Sequence, residues 1–216
     1  MAAALTRLGL KTFHSGFPNF ANRRPWCQYL FGNGRLEDAL PTLAGYDAAM
    51  DEPFQLVYDE VMHAFPRAKF ILTMADPQTW YDSYDALIQQ QRRQLADPFL
   101  QWVYNFTLRI TGWPSVLDPD PNSWFSYCTE ARYWGCDFGN SNASVDSRQK
   151  CMESYQQHNE RVMQAIPADR LLVYNFSDGW APIAHFLGKP IPDVPFPYVD
   201  EKPDVPKGNP QRSSTQ

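Results

Sequence analysis

The feature that most constrains the fold is a short and almost wholly apolar run at residues 69–74, which reads Lys-Phe-Ile-Leu-Thr-Met. Such runs are typical of strands buried on both faces of a parallel sheet. Apolar residues at helical spacing precede it at 54–65, and Asp76-Pro77 directly after it is typical of a helix start. A helix on each side of a buried strand predicts an α/β fold.

A second buried strand is predicted at 170–175, and a short extended segment at 10–14. The remaining helices are predicted at 2–8, 35–46, 78–94, 100–110, 151–165 and 181–187, with a loop at 15–25. Residues 123–142 show no clear pattern. We expect a three-layer α/β sandwich in which helices flank a short parallel sheet. One domain at 1–200 is followed by an extended polar tail at 201–216.

Composition bounds the function classes. The chain has 216 residues, 44% hydrophobic and 20% charged, as expected of a globular protein with one sizeable core. Its net charge of −5 argues against broad nucleic-acid binding. The longest apolar runs are far shorter than a membrane span, so none is expected.

The four cysteines, Cys27, Cys128, Cys136 and Cys151, form no C-x-x-C pair and no cluster with zinc-ligand spacing. The first residues are too short an apolar stretch for a secretory signal, because Arg7 interrupts them. We therefore expect reduced thiols in a cytoplasmic protein. The alternative is a lumenal protein with a Cys128–Cys136 or Cys136–Cys151 disulfide.

Three N-glycosylation sequons occur, beginning at Asn105, Asn142 and Asn175. Without a recognisable secretory signal, we interpret all three as chance matches.

One segment resembles a motif of sulfotransferase-like proteins of the P-loop fold. It begins Asp51-Glu-Pro, passes through a helix and continues Phe-Pro-Arg-Ala-Lys-Phe-Ile-Leu-Thr-Met-Ala-Asp-Pro-Gln-Thr-Trp-Tyr-Asp-Ser to Ser83. A second block is similar to the family's end, with Tyr155-x-x-His-Asn, Arg-Leu-Leu-Val-Tyr-Asn175 and Gly-Trp180. Residues 3–9 and His14 resemble the family's first helix and the segment after it. The matching blocks cover most of the chain outside 96–149.

The resemblance implies transfer of a sulfuryl group from 3′-phosphoadenosine 5′-phosphosulfate to a hydroxyl or amine of a small-molecule acceptor, without a metal. In that family a glycine-rich loop ahead of the first helix holds the 5′-phosphosulfate. An Arg and a Ser eight residues apart hold the 3′-phosphate. By this resemblance Ser83 is the candidate for binding the donor, His14 for the catalytic base and Asp51 for contacting the acceptor.

Two departures from the family pattern weaken the donor site. Residue 1 aligns inside the family's first helix, so we expect the first strand and the phosphate loop to lie upstream of it. Gly32-Asn-Gly34 lacks the spacing and the preceding strand to replace that loop. Ala75 stands where the family has the 3′-phosphate arginine, and the nearest cations in sequence are Arg67 and Lys69.

Each candidate residue also has a structural explanation. For His14 we prefer a structural role, and for Asp51 an N-cap of the following helix. Ser83 is explained equally well by a helix position facing water.

The leading hypothesis for the whole chain is a sulfotransferase-family protein with impaired activity. The alternative is a non-catalytic binding or scaffold protein with the same fold. A hydrolase or kinase is less favoured, because it needs the same loop. The oligomeric state is not predicted.

Overall fold

A computed structural model of the protein describes residues 1–14, 20–51, 53–95 and 144–197, together with single positions 98, 99, 102, 106, 136 and 138. The described helices are α1 Ala2–Arg7, α2 Phe20–Phe31, α3 Leu36–Ala39, α4 Tyr58–Ala64, α5 Pro77–Leu95, α6 Val145–Ala165 and α7 Trp180–Leu187. The strands are β1 Thr12–His14, β2 Ala48–Met50, β3 Phe70–Thr73 and β4 Leu171–Tyr174. Short 3₁₀ helices occupy Leu40–Leu43, Phe54–Leu56 and Phe176–Asp178.

These strands form two parallel pairs. β1 pairs with β2, with His14 opposite Met50, and β3 pairs with β4, with Thr73 opposite Tyr174. The prediction of an α/β fold with short parallel strands and flanking helices is confirmed, and the described strands form two sheets where one was expected.

Both sheets pack against one apolar cluster that includes Leu5 of α1 and Ile183 of α7. Met50 of the first sheet and Ile71 of the second both pack on it. A second cluster, centred on Phe13, Trp26 and Phe54, covers the first sheet and α2. The strands therefore sit against helices, which is how a parallel sheet excludes water from its faces.

Two helix ends were predicted correctly from glycines. α1 and α7 end where expected, and Gly9 and Gly188 follow them with φ of 78° and 65°. This is the left-handed region, which glycine enters without a Cβ penalty.

Three local predictions are corrected. The part of the predicted 15–25 loop that the structure describes is helical from Phe20 onward, because Trp26 is fully buried and anchors α2. The strand β2 was not predicted, since Ala-Ala-Met carries no strand signal of its own. Asp51 is not the N-cap of the next helix, because α4 begins at Tyr58 with Val57 as its cap residue.

The prediction of reduced thiols is wrong. Cys136 and Cys151 form a disulfide with their Cα atoms 5.0 Å apart, and Cys27 is also disulfide-bonded. The Cys136–Cys151 disulfide is one of the two bridges that the sequence allowed for a lumenal protein. Its two cysteines are brought together by Phe138, which packs between α5 and Cys151 of α6 in a third apolar cluster.

Within the residues that the structure describes, no helix is long and apolar enough to cross a membrane. The predicted helix at 100–110, the unassigned segment at 123–142 and the tail at 201–216 lie outside the described ranges, apart from single positions. The domain boundary therefore stays a prediction.

Candidate active site

The candidate residues follow the carboxyl ends of strands. His14 is the last residue of β1 and Asp51 directly follows β2, so the parallel pairing places both at one edge of the first sheet. Ala75 lies just beyond β3 and Asn175 just beyond β4, at the corresponding edge of the second sheet. Ligands of open α/β sheets bind at these edges.

His14 and Asp51 form a pair. The Nε2 atom of His14 lies 3.5 Å from Oδ2 of Asp51, and the two side chains are 43% and 45% exposed. A carboxylate beside one ring nitrogen favours the tautomer that carries its proton there, so Nδ1 becomes the nitrogen that can accept a proton. The arrangement is that of a general base with an orienting carboxylate.

The backbone at Asp51 is unusual. Its φ is 69°, and it is the one non-glycine residue with positive φ among the residues described. Such a conformation costs about 1–3 kcal/mol in a residue with a Cβ, and it is found most often at functional sites. At this point it turns the chain sharply out of β2, and the Asp51 carbonyl accepts a hydrogen bond from the Phe54 N–H at 2.8 Å.

The edge beyond β3 has a different character. Ala75 is exposed, and its backbone N–H donates to the Tyr155 hydroxyl at 3.1 Å. Asp76 lies next to it and caps α5, since its Oδ1 accepts from the Thr79 N–H at 3.0 Å and from the Thr79 hydroxyl at 3.2 Å. The helix terminus thus carries its own negative charge, which opposes an approaching phosphate.

The two cations near β3 in sequence lie at its other end. Lys69 directly precedes β3. Its Nζ donates to the Phe186 carbonyl and lies 5.0 Å from the centroid of the Phe186 ring. At about 3.3 Å per residue, six residues of extended chain separate Lys69 from Ala75 by roughly 20 Å. Arg67 is further back still, so neither replaces an arginine at position 75.

Ser83 lies in the second turn of α5 and its side chain is exposed. With a helix rise of about 1.5 Å per residue, it stands roughly 9 Å along the axis from Pro77. The structure therefore agrees with a solvent-facing position. It does not bring the Ser83 hydroxyl together with the His14–Asp51 pair.

A cavity of about 920 Å³ runs between the two sheets. Residues of β2 line one side and residues of β3 line the other, and Asp51 lies on its wall. Tyr58, Trp80 and His158 contribute aromatic rings to the lining. Of the residues at the two strand edges, Asp51 lines the cavity, and Thr73, Trp80 and Tyr155 line it close to the edge beyond β3.

His158 also lines this cavity, and it was not predicted from the sequence as a site residue. It is 7% exposed, and burial, followed by the charge of Arg161, lowers its pKa to about 4. The imidazole is consequently neutral near pH 7, and its ring meets that of Tyr58 edge-on at 5.8 Å between centroids. Its place on the apolar stripe of α6, three residues after the buried Tyr155, was the available signal.

The helix α6 also fixes the Ala75 edge. Tyr155 stacks on Trp80 with ring centroids 4.2 Å apart, and Phe138 packs against Trp80 at 5.7 Å. The Cys136–Cys151 disulfide fastens the neighbourhood of Phe138 to the same helix. No group of three or more His, Cys, Asp or Glu side chains suited to a metal ion occurs in the part of the chain that the structure describes.

Together these features define an α/β protein with a histidine–carboxylate pair at one strand edge and an uncharged position at the other. The sulfotransferase domain family matches residues 1–205, and the chain belongs to that family. A relative from Aspergillus versicolor, "Ava biosynthesis cluster protein M", is 28% identical over 167 residues. The match covers 73% of this chain and 55% of that protein, so the chain spans about half the length of this relative.

Proposed function

We propose that the protein descends from enzymes that transfer a sulfuryl group from 3′-phosphoadenosine 5′-phosphosulfate to a hydroxyl or amine of a small molecule, and that its donor site is impaired. Family membership supports the reaction class. The observation that carries the impairment is Ala75, which stands at the carboxyl end of β3 where the resemblance places the 3′-phosphate arginine.

The described residues do not fit the donor's 3′-phosphate. Ala75 offers a methyl group, its backbone N–H is used by Tyr155, and Asp76 presents a carboxylate next to it. Ser83, the second family contact, is a neutral hydroxyl facing water. An arginine–phosphate contact contributes on the order of 1.5–3 kcal/mol, so its loss weakens donor binding by roughly ten- to a hundredfold.

The acceptor side retains the chemistry that the family needs. His14 has Asp51 beside its Nε2, and in this proposal its ring takes a proton from an acceptor hydroxyl or amine. Asp51 orients the ring and, because it lines the cavity, is the residue that we propose contacts the acceptor. We therefore assign His14 as the base and Asp51 as the acceptor-side carboxylate.

The phosphate loop belongs to the same proposal. In the family it precedes the first helix, and here Met1, the residue before α1, lines the cavity between β2 and β3. Coding sequence directly upstream of Met1 that specifies a buried strand and a Gly-rich turn supports the enzyme, and its absence supports a protein without donor chemistry.

Calorimetry of the 216-residue chain with 3′-phosphoadenosine 5′-phosphate tests the proposal. We expect no binding at micromolar nucleotide, because the positive charge for the 3′-phosphate is missing. Micromolar affinity of the unmodified chain would show that the donor site is intact.

The second candidate is a non-catalytic binding or scaffold protein that retains the fold. The same Ala75 favours it, since a binding protein has no use for the donor contact. Replacement of His14 by Gln separates the two: residual sulfuryl transfer that falls with this substitution supports an enzyme, while unchanged ligand binding without any transfer supports a binding protein.

The cytoplasmic location was predicted from the lack of a recognisable secretory signal, and reduced cysteines were expected to follow from it. The disulfides of Cys27, Cys136 and Cys151 speak against it, because such bonds persist mainly in oxidising compartments.

A further inference from the structure

A modification site directly follows β4, at the carboxyl-terminal edge of the second sheet. The sequon Asn175-Phe176-Ser177 begins directly after the last residue of that strand. All three residues are exposed, and they form the start of the 3₁₀ helix Phe176–Asp178. The sequons at Asn105 and Asn142 lie outside the described residues, so Asn175 is the one whose surroundings are defined.

The local hydrogen bonds leave the reactive atom of Asn175 unused by the turn. Its Oδ1 accepts from the Ser177 N–H at 3.0 Å and from the Ser177 hydroxyl at 2.9 Å. Its backbone N–H donates to Asp178 Oδ2 at 3.0 Å, which completes a capping box. A sugar attached to Nδ2 keeps the amide oxygen, so the turn persists after modification.

The surface around Asn175 is apolar. Val173, two residues earlier and therefore on the same face of β4, is 47% exposed, and Phe176 is 41% exposed. Exposed apolar side chains beside a strand are a site for aggregation unless something polar covers them. A glycan on Asn175 would lie over these two side chains and supply that polar cover.

The disulfides are the independent observation about compartment. Cys136 is joined to Cys151, Cys27 is also bonded, and no free cysteine remains among the described residues. Disulfides form in the oxidising lumen of the secretory pathway, which is also where sequons are glycosylated. A cytosolic chain would expose thiols and would never meet the glycosylation machinery.

We propose that Asn175 carries an N-linked glycan and that the chain folds in an oxidising secretory lumen. The co-substrate is an oligosaccharide linked to a lipid through pyrophosphate. The Asn175 Nδ2 attacks the first sugar carbon, the N–C bond forms as the C–O bond to pyrophosphate breaks, and the amide proton passes to a base of the transferring enzyme. No change of oxidation state occurs. This inference does not depend on the proposed function.

The first test uses the protein from its own cells. Mass spectrometry of the peptide containing Asn175, before and after an amidase that cleaves N-glycans in heavy-oxygen water, reports the modification directly. We expect Asn175 to appear as heavy-oxygen-labelled Asp after cleavage. An unmodified Asn175 in the endogenous protein would overturn the proposal.

The second test uses matched variants of the full chain, expressed behind a cleavable secretory leader. Ser177→Thr preserves the sequon, whereas Ser177→Ala abolishes it and retains the backbone N–H bond to Asn175 Oδ1. We expect wild type and Ser177→Thr to carry one glycan more than Ser177→Ala. Equal glycan number in all three would contradict the assignment of Asn175.

Alkylation of the unreduced, denatured endogenous protein provides the compartment readout. We expect no thiol at Cys27, Cys136 or Cys151 to react before reduction. Full alkylation of these cysteines would place the folded chain in a reducing compartment and overturn the second half of the proposal.

Discussion

Two strand edges of the molecule differ in the chemistry of their side chains. One edge lies beyond β1 and β2, and the other lies beyond β3. The first holds a histidine–carboxylate pair and a strained aspartate backbone. The second holds an alanine with its N–H bound to a tyrosine, beside an aspartate that caps its own helix. The first edge carries an imidazole beside a carboxylate, whereas Ala75 at the second edge carries no charge.

This difference shows that the fold depends less on the side chains at one edge than on those at the other. Ala75 is exposed, so an alanine in place of an arginine there leaves no buried group unsatisfied and no cavity in the core. His14 and Asp51 sit beside buried Phe13 and at a turn out of β2, so their replacement also disturbs local structure. A substitution at position 75 is therefore expected to cost less stability than one at His14 or Asp51.

The largest expected effect is a loss of folding stability at low pH, caused by His158 on α6. His158 contacts Tyr58 beyond β2, and Tyr155 on the same helix holds Ala75. The pKa of His158 is lowered from 6.5 to about 4 in the folded chain, so the unfolded chain binds more protons between these values. Stability is fully present above pH 6.5 and falls as pH drops toward 4, by about 3 kcal/mol.

Urea unfolding of wild type and His158→Gln at several pH values measures this effect. We expect the loss of unfolding free energy between pH 6.5 and 4 to be smaller in His158→Gln. His63→Gln is the control, because it removes a histidine whose side chain is 74% exposed rather than buried. Identical slopes for wild type and His158→Gln would show that another group governs the acid response.

The next largest effect is expected from restoring a positive charge at position 75. Ala75→Arg should tighten binding of 3′-phosphoadenosine 5′-phosphate by roughly ten- to a hundredfold, since one charge-assisted contact contributes on the order of 1.5–3 kcal/mol. Calorimetry measures the dissociation constant. Ala75→Gln is the control, with similar length and no charge. Equal affinity of the two variants would mean that no pocket for the 3′-phosphate exists at this edge.

The strained backbone at the first edge gives a smaller effect. Asp51→Gly and Asp51→Ala both remove the carboxylate, but glycine accepts a φ of 69° without the Cβ penalty. Asp51→Gly should therefore be more stable than Asp51→Ala by about 1 kcal/mol, measured by thermal unfolding. Two variants of equal stability would argue that the aspartate backbone is not strained.

The smallest effect on stability is expected from removing the Tyr155 hydroxyl at the second edge. Tyr155→Phe removes the partner of the Ala75 N–H but keeps the ring on Trp80, so it should cost about 0.5–1.5 kcal/mol in chemical denaturation. Tyr84→Phe, which retains a ring against Phe138, is the comparison for losing a tyrosine hydroxyl on the facing helix. A Tyr155→Phe protein as stable as wild type would show that water replaces the hydroxyl.

Much of the fold was predictable from sequence, because local patterns specify local structure. The apolar runs predicted β3 and β4, and the first and last described helices end before Gly9 and Gly188 as expected. The helix α2 was missed because Pro18, Asn19 and Pro25 are typical of a loop, and burial of Trp26 explains why it forms.

The site was less predictable. Resemblance to the family made His14, Asp51 and Ser83 candidates, but an N-cap was the preferred explanation of Asp51. The structure instead places its carboxylate 3.5 Å from His14, because β1 and β2 pair in parallel and both end at the same edge. No pattern in the chain encodes that pairing, since the strand β2 has no strand signal.

By itself, the sequence determined the α/β class, the buried strands and the presence of Ala75 where the family has an arginine, because each depends on residue type and short-range spacing. Only the tertiary structure decided that Cys136 pairs with Cys151, that His14 meets Asp51, and that His158 lines a cavity together with residues of β2 and β3. These depend on contacts between segments distant in the chain, which form only when the strands and helices pack together.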